Sequence, residues 1–328
     1  MLDLALRQSG FPVSIYRLCD AYSKPFGLQS VSSADELLEN ADVLLWGGGG
    51  LLVSWPDMLY RAFFPGVSSE FDSLILGSIE KGICLAACSV GGDGALAPRL
   101  TPGYKERFTR AAAFMTVRNP QDLAVPGRFG IPAACFPDLM WLAGEWLPSP
   151  ARRPGGMRIA FDLYPGALLR KLAPYLVPVI QQLVNERRDC QFYFLDSTNA
   201  GCKPYRGLGR FIRGANVVSH QFSDPESDFQ FLASLDLLVS SRLHTPVIAL
   251  QFGVPVVSLL PEGKTSLLLA NLGLDSLTFG HHRILDLYRL LSGKKSLDAF
   301  LRDFRFPDIL SLRAEAAGHL RFLREHLA

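Results

Sequence analysis

Five consecutive residues carry the densest chemistry in this chain: Ser240-Ser241-Arg242-Leu243-His244. They follow the apolar run Asp236-Leu-Leu-Val and precede Thr245-Pro-Val-Ile-Ala-Leu-Gln, which places them where a buried strand empties into a helix. A helix N-terminus presents N–H groups that have no partner inside the helix, together with the positive end of the helix dipole. Arginine and histidine added there make an anion site. The arginine fork holds phosphate or carboxylate through two bonds. Histidine titrates near neutral pH and can also move a proton. The plainer reading is an arginine paired with a neighbouring carboxylate and a histidine that caps the helix. The strand–helix junction favours the anion site.

Other candidates are weaker. Lys264 is a third cation downstream, equally readable as a solvated loop lysine. Gly47–Gly50 follows the short apolar strand Asp42–Trp46, and such a turn, Gly48 and Gly49 above all, lets a backbone approach a ligand closely. Ser89–Gly94 is a second turn of this kind with Asp93 as its only charge. Asp93 would orient an acceptor hydroxyl, although an Asx turn explains it as well. Gly263-Lys264-Thr265 has the ending of a phosphate-binding P-loop, but the first glycine of that motif falls at Ser258, which excludes it. His281-His282 reads as a solvated pair. Arg152-Arg153 and Arg206, Arg210 and Arg213 read as solvated faces, or as contacts to an anionic lipid-linked acceptor. The six cysteines, at 19, 84, 88, 135, 190 and 202, form no CxxC pair and no zinc knuckle, and read as small buried hydrophobes.

The elements that position these groups alternate. Val13–Leu18, Asp42–Trp46, Ile83–Cys88, Phe114–Val117, Arg158–Leu163, Gln191–Leu195, Val217–His220, Leu237–Ser240 and Val256–Leu259 read as short strands. Helices are predicted over Ser33–Asn40 (Ser33 as N-cap and Glu36 at N3), Ser69–Lys81, Arg107–Ala113, Pro174–Glu186, Asp224–Ser234, His244–Phe252, Thr265–Leu272 and the tail Ile309–Leu327. Strands alternating with helices imply parallel α/β sheets. The Pro-, Gly- and Arg-rich stretch Leu147–Gly156 halts the alternation, which then restarts. The expectation is two Rossmann-like halves: residues 1–150 as an N-terminal domain, and residues 151–328 as a C-terminal domain that includes the C-terminal helix. Ligands of such sheets sit at the carboxyl ends of the strands.

Composition bounds the rest. A chain of 328 residues that is 48% hydrophobic and 20% charged is a folded protein with a sizeable core. Lys+Arg at 33 against Asp+Glu at 31 gives no electrostatic case for a nucleic-acid partner. The longest apolar stretch, Pro246–Pro261, is broken by Gln251, Gly253 and Pro255, so no membrane span is expected. With no basic-then-apolar leader at the start, the expected location is the cytoplasm.

The block Asp236-Leu-Leu-Val-Ser-Ser-Arg-Leu-His-Thr, then Ala249-Leu-Gln-Phe-Gly-Val-Pro-Val-Val-Ser, then Lys264, resembles the C-terminal signature of the polysaccharide pyruvyl transferase family. Asp42-Val-Leu-Leu-Trp-Gly-Gly-Gly-Gly-Leu-Leu is similar to that family's N-terminal strand and Gly-rich turn. Val117-Arg118 and Phe136-Pro137-Asp138 fit its weaker mid-chain pattern. One departure stands out: family members usually begin with a strand and a Gly-Asp loop, whereas this chain opens in what reads as the first helix. The first half is therefore expected to show one strand fewer, with an edge or gap beside Val13–Leu18 or Asp42–Trp46.

The resemblance implies a glycosyltransferase B type fold, with the N-terminal half on the acceptor side and the C-terminal half on the donor side. It implies an enzyme that moves pyruvyl from phosphoenolpyruvate onto two hydroxyls of a sugar, forming a ketal on a cell-surface (exopolysaccharide) precursor. Phosphoenolpyruvate is the donor substrate, and no cofactor or metal is implied. The acceptor would be a lipid-linked or nucleotide-linked sugar, with peripheral contact to a membrane-bound acceptor. Arg242 and His244 are the catalytic candidates, for donor binding and acid–base work. Ser241, Leu243, Lys264, Gly48, Gly49 and Asp93 are the substrate-binding candidates. Two rivals stand beside this reading: a sugar-nucleotide-dependent glycosyltransferase of the same fold, and a non-catalytic relative that binds an anionic glycan.

Overall fold

The computed structural model describes residues 6–7, 12–16, 29–52, 67–92, 103–146, 156–163, 167–196, 208–222, 224–261 and 263–327. The chain divides into two compact units, Met1–Leu142 with Leu310–Ala328, and Ala143–Ile309.

The first unit contains the strands β1 (Ser14–Tyr16), β2 (Gln29–Val31), β3 (Val43–Gly47), β4 (Cys84–Val90), β5 (Ala112–Val117) and β6 (Ala133–Cys135). Its helices up to Leu142 are α1 (Ala34–Asn40), α2 (Val67–Glu80), α3 (Tyr104–Ala111) and α4 (Ala124–Arg128). Every pairing is parallel. Strand β4 reads Cys-Leu-Ala-Ala-Cys-Ser-Val and is buried along most of its length, as a parallel strand covered on both faces must be. Helix α1 starts as predicted, with the Ser33 hydroxyl accepting from the Glu36 N–H at 3.4 Å. Among the described residues the strands form two separate sheets, β1-β2 and β3-β4-β5-β6. Strand β3 is thus an edge strand, and its residues are half-buried apart from the exposed Gly47. The expectation of one strand fewer, with an edge or gap beside Val13–Leu18 or Asp42–Trp46, falls in part on residues 1–5, 8–11, 17–28 and 53–66, which lie outside the described residues. Helix α2 serves both sheets: Leu74 and Phe71 pack with Tyr16, Val31, Leu37 and Leu44.

The second unit is built on one six-stranded parallel sheet. Its strands are β7 (Met157–Asp162), β8 (Cys190–Asp196), β9 (Val217–Gln221), β10 (Leu237–Ser240), β11 (Val256–Leu259) and β12 (Thr278–Phe279), in the order β12-β11-β10-β7-β8-β9. The chain runs outward from β7 through β8 to β9, then returns to the other side of β7 for β10, β11 and β12. That reversal between β7 and β10 is the topological switch point of a doubly wound sheet, where ligands bind. The helices are α5 (Ala143–Trp146), α6 (Ala167–Glu186), α7 (Pro225–Ala233), α8 (His244–Gln251), α9 (Gly263–Asn271), α10 (Ile284–Ser292) and α11 (Lys294–Asp303). Ile159, Phe161, Leu176, Ile180, Phe192, Phe194, Val239 and Val257 form the core.

Two expectations are corrected. Helix α6 begins at Ala167, so Pro174 and Pro178 lie inside it rather than in a first turn. Its buried face, Leu176, Ile180, Leu183 and Val184, holds the helix against the sheet despite the two missing N–H donors. The tail is two helices, α12 (Ile309–Ala316) and α13 (Gly318–Leu327), and residues 310–328 belong to the first unit, not to the C-terminal half. Helix α13 lies against β4, β5 and β6, where the Phe114 ring meets Phe322 at 6.1 Å and His326 at 5.0 Å. Gly318 is required there, since a Cβ would fall 2.3 Å from the Phe136 ring. The predicted linker Leu147–Gly156 lies, apart from Gly156, outside the described residues.

Candidate functional site

The site assembles at the switch point of the second unit. Parallel register sets Ser240 of β10 beside Asp162 of β7. Both strands end there, and the chain leaving β10 is stitched back to β7. The Ser241 N–H donates to the Asp162 carbonyl at 3.0 Å, and the Ser240 hydroxyl donates to the same carbonyl at 3.2 Å. The Arg242 N–H donates to the Ser240 hydroxyl at 3.0 Å. Helix α8 then begins at His244, so its N-terminal turn and dipole end stand directly beyond the loop.

The side chains divide by burial. Arg242 keeps 25% of its side-chain surface exposed, while the Asp162 carboxylate beneath it keeps 1%. Arg242 Nε lies 3.6 Å from Asp162 Oδ1, and the Thr245 hydroxyl donates to Asp162 Oδ2 at 2.5 Å. His244 is exposed at the first position of α8. Leu243 and Ser241 are buried, at 6% and 4%. The Leu243 side chain belongs to the packing that supports the loop, so a ligand would meet its main chain. Ser241 serves as scaffold through its N–H and its carbonyl, which accepts from the Thr265 hydroxyl at 3.3 Å. That bond brings the first turn of α9 beside the loop, and Lys264 is the residue preceding Thr265, on a helix rather than in a loop. At the end of β11, Leu260 holds a left-handed φ of 53°. Such strain persists only where surrounding contacts impose it.

Asp162 was missed by reasoning from sequence. A signal existed: a carboxylate closing the apolar run Arg158–Leu163 is a charge in a strand that must be buried. The plainer reading of Arg242, an arginine beside a neighbouring carboxylate, is therefore part of the geometry. Arg242 is still sterically open to an anion ligand, since a quarter of its side chain stays exposed.

In the first unit, Gly48 and Gly49 have φ of 70° and 77°, a left-handed backbone that favours glycine, and a Cβ at either would meet nothing within 4 Å. Backbone conformation accounts for these glycines. The Gly48 N–H donates to the Cys88 carbonyl at 2.7 Å and the Gly91 N–H to the Gly49 carbonyl at 3.0 Å, so the two Gly-rich turns are laced together. Asp93 lies outside the described residues. The two mid-chain fragments meet in space: Arg118 Nη1 is 2.8 Å from Asp138 Oδ2, with 5% and 8% of the side chains exposed. Behind them, the Ser89 N–H donates to the Thr116 hydroxyl at 2.9 Å and the Leu139 N–H to the Ser89 hydroxyl at 3.0 Å. His319 of α13 completes the network, with Nδ1 2.6 Å from Thr116 Oγ1 and Nε2 2.9 Å from the Pro137 carbonyl.

Comparison with solved structures identifies the fold. S. aureus MnaA, solved with UDP, superposes with a TM-score of 0.68 at 10% identity, over 99% of this chain and 92% of that one. UDP-GlcNAc 2-epimerase from Neisseria meningitidis, bound to UDP-GlcNAc, gives 0.56 at 11% identity, over 89% and 79%. The enzyme of that name from Methanocaldococcus jannaschii, with UDP-GlcNAc and UDP, gives 0.55 at 10% identity, over 92% and 87%. At such identities the likeness establishes a fold of the glycosyltransferase B type, with two Rossmann-like halves, and no more. A search of curated protein sequences finds no match. The sequence profile of polysaccharide pyruvyl transferases matches residues 4–262, which include every residue of the loop between β10 and α8. The chain belongs to the polysaccharide pyruvyl transferase family, and is thereby an enzyme, a transferase of polysaccharide biosynthesis.

Proposed function

We propose that this transferase takes phosphoenolpyruvate as donor and forms a pyruvate ketal on a sugar of a cell-surface polysaccharide precursor. The observation that carries the proposal is the convergence of Arg242, His244 and the N-terminal turns of α8 and α9 at the carboxyl ends of β10 and β11. Phosphoenolpyruvate carries a phosphate and a carboxylate, and this is cationic ground for both. Arg242 holds the donor, with Lys264 as a further cation. Protonation of the donor's methylene carbon turns it into the methyl group and leaves C2 electron-poor. One sugar hydroxyl bonds to C2 and gives up its proton. The second hydroxyl bonds to C2 as the C2–O bond to phosphate breaks, and its proton passes to the departing phosphate, which closes the ketal and releases phosphate. The proton transfers in these steps are assigned to His244, whose exposure at the head of α8 supports the reading. The first unit, with its turns at Gly48 and Gly49, takes the acceptor, a lipid-linked or nucleotide-linked sugar. A membrane-bound acceptor would, in this reading, be met at the surface of the bilayer from the cytoplasm; no helix among the described residues is long and apolar enough to cross a membrane.

One observation favours a second reading. The superposed structures hold UDP or UDP-GlcNAc, so a nucleotide sugar is the rival ligand of this fold. Against it, no Asp or Glu occurs between Asp236 and Glu262 to grip a nucleotide ribose. The test is phosphate release from phosphoenolpyruvate with a lipid-linked or nucleotide-linked hexose present. His244→Ala should lower kcat by roughly 10²–10⁴-fold, and His244→Gln should keep binding while losing turnover. Tight UDP-sugar binding with no phosphate release from phosphoenolpyruvate would transfer the assignment to the rival.

A further inference from the structure

We infer that Asp162 is the positioning residue of this anion site, setting both the direction of the Arg242 guanidinium and the seat of the first turn of α8. The inference rests on the reading of Arg242 as the donor-binding group. Asp162 ends β7 at the switch point, and its side chain is 1% exposed. A buried carboxylate is costly unless it is compensated. Here the compensation comes from the loop it organises: Arg242 Nε at 3.6 Å from Oδ1, and the Thr245 hydroxyl at 2.5 Å from Oδ2. The same residue's main-chain carbonyl accepts from the Ser241 N–H and the Ser240 hydroxyl. One residue of β7 thereby touches Ser240, Ser241, Arg242 and Thr245. Arg242 Nε, the nitrogen nearest the aliphatic stem, is buried and lies 3.6 Å from Oδ1, an ion-pair distance rather than a hydrogen bond, so the carboxylate draws the guanidinium inward as a counter-charge.

The charge of Asp162 makes the inference testable by sign. A negative group beside an anion site weakens anion binding by simple electrostatics, so removing its charge should tighten binding. If the carboxylate aims Arg242, removing its charge weakens binding instead, because the fork loses its direction. Asp162→Asn is near-isosteric and retains an oxygen to accept from Thr245.

The experiment has two readouts on Asp162→Asn. The first is the Nε–H resonance of Arg242 in arginine-labelled protein, assigned by its disappearance in Arg242→Lys. The second is phosphoenolpyruvate affinity by calorimetry. Because Arg242 Nε is buried beside the carboxylate, we expect its N–H to be slow to exchange in the wild type and, once the counter-charge no longer holds the guanidinium in, to exchange faster in Asp162→Asn, with affinity reduced roughly 10–100-fold. Unchanged Nε–H exchange, or tighter phosphoenolpyruvate binding by the variant, overturns the inference. If Asp162→Asn does not fold, Thr245→Val releases one oxygen of the carboxylate and should speed Nε–H exchange; an unchanged rate there overturns it equally. Wild-type protein that binds no phosphoenolpyruvate, yet loses Nε–H protection in Asp162→Asn, removes the donor reading and leaves the positioning role supported.

Discussion

His319 makes the stability of the first unit depend on pH in a direction the geometry sets. Its Nε2 faces the Pro137 carbonyl, which can only accept, so Nε2 carries the proton. Nδ1 then accepts from the Thr116 hydroxyl, whose oxygen in turn accepts from the Ser89 N–H. Every group is satisfied with the ring neutral. Burial pushes the His319 pKa down from 6.5 to about 4, with Arg118 adding to the fall and the Pro137 carbonyl and Asp138 opposing it. A base whose folded pKa is depressed binds fewer protons folded than unfolded between those two values. Stability is therefore fully present above pH 6.5 and is lost as pH falls toward 4. At about 1.4 kcal/mol per pKa unit the full loss is about 3 kcal/mol, of which about 2 kcal/mol has gone by roughly pH 5. The assay is chemical denaturation at a series of pH values, wild type against His319→Gln. The variant should be less stable at neutral pH, because it breaks the network, but its stability should fall less between pH 8 and pH 5, by about 2 kcal/mol. Parallel curves for the two proteins would refute the reasoning, since the remaining histidines are common to both.

The ion pair Arg118–Asp138 should behave as a buried pair: Arg118→Ala leaves a buried carboxylate without that counter-charge and should cost about 3–5 kcal/mol, read as a fall in Tm, whereas Arg118→Met with Asp138→Leu should recover most of the loss. Gly318→Ala drives a methyl into the Phe136 ring and should destabilise by about 1–3 kcal/mol, with hydrogen exchange rising first in α13.

Much of this fold was legible because its signals are local. Leu237–Ser240 and Val256–Leu259 have the bounds the apolar runs suggest, and the cap at Ser33 is where the spacing puts it. What escaped was either short or non-local. Strands β2, β6 and β12 have three, three and two residues, too few for a period to register. Pro174 looks like a helix start, and only the packing of Leu176, Ile180 and Leu183 on the sheet shows that α6 runs through it. The amphipathic tail says that it covers a sheet but not which one. Its choice is written in the Gly318–Phe136 approach and the Thr116–His319 bond, between residues about two hundred positions apart. At the site, the Arg-Leu-His run was visible as a run. Its carboxylate partner lies in another strand, and only parallel register brings Asp162 to Ser240.

The central claim is that the loop between β10 and α8 binds phosphoenolpyruvate through Arg242, and direct calorimetric titration tests it without need of an acceptor. Wild-type protein should bind phosphoenolpyruvate. Arg242→Ala should weaken binding by roughly 10–100-fold, the loss of charge-assisted bonds each stronger than a neutral one. Arg242→Lys should recover little, because a point charge does not reproduce the fork. Affinity unchanged in Arg242→Ala, with the fold intact, would contradict the account.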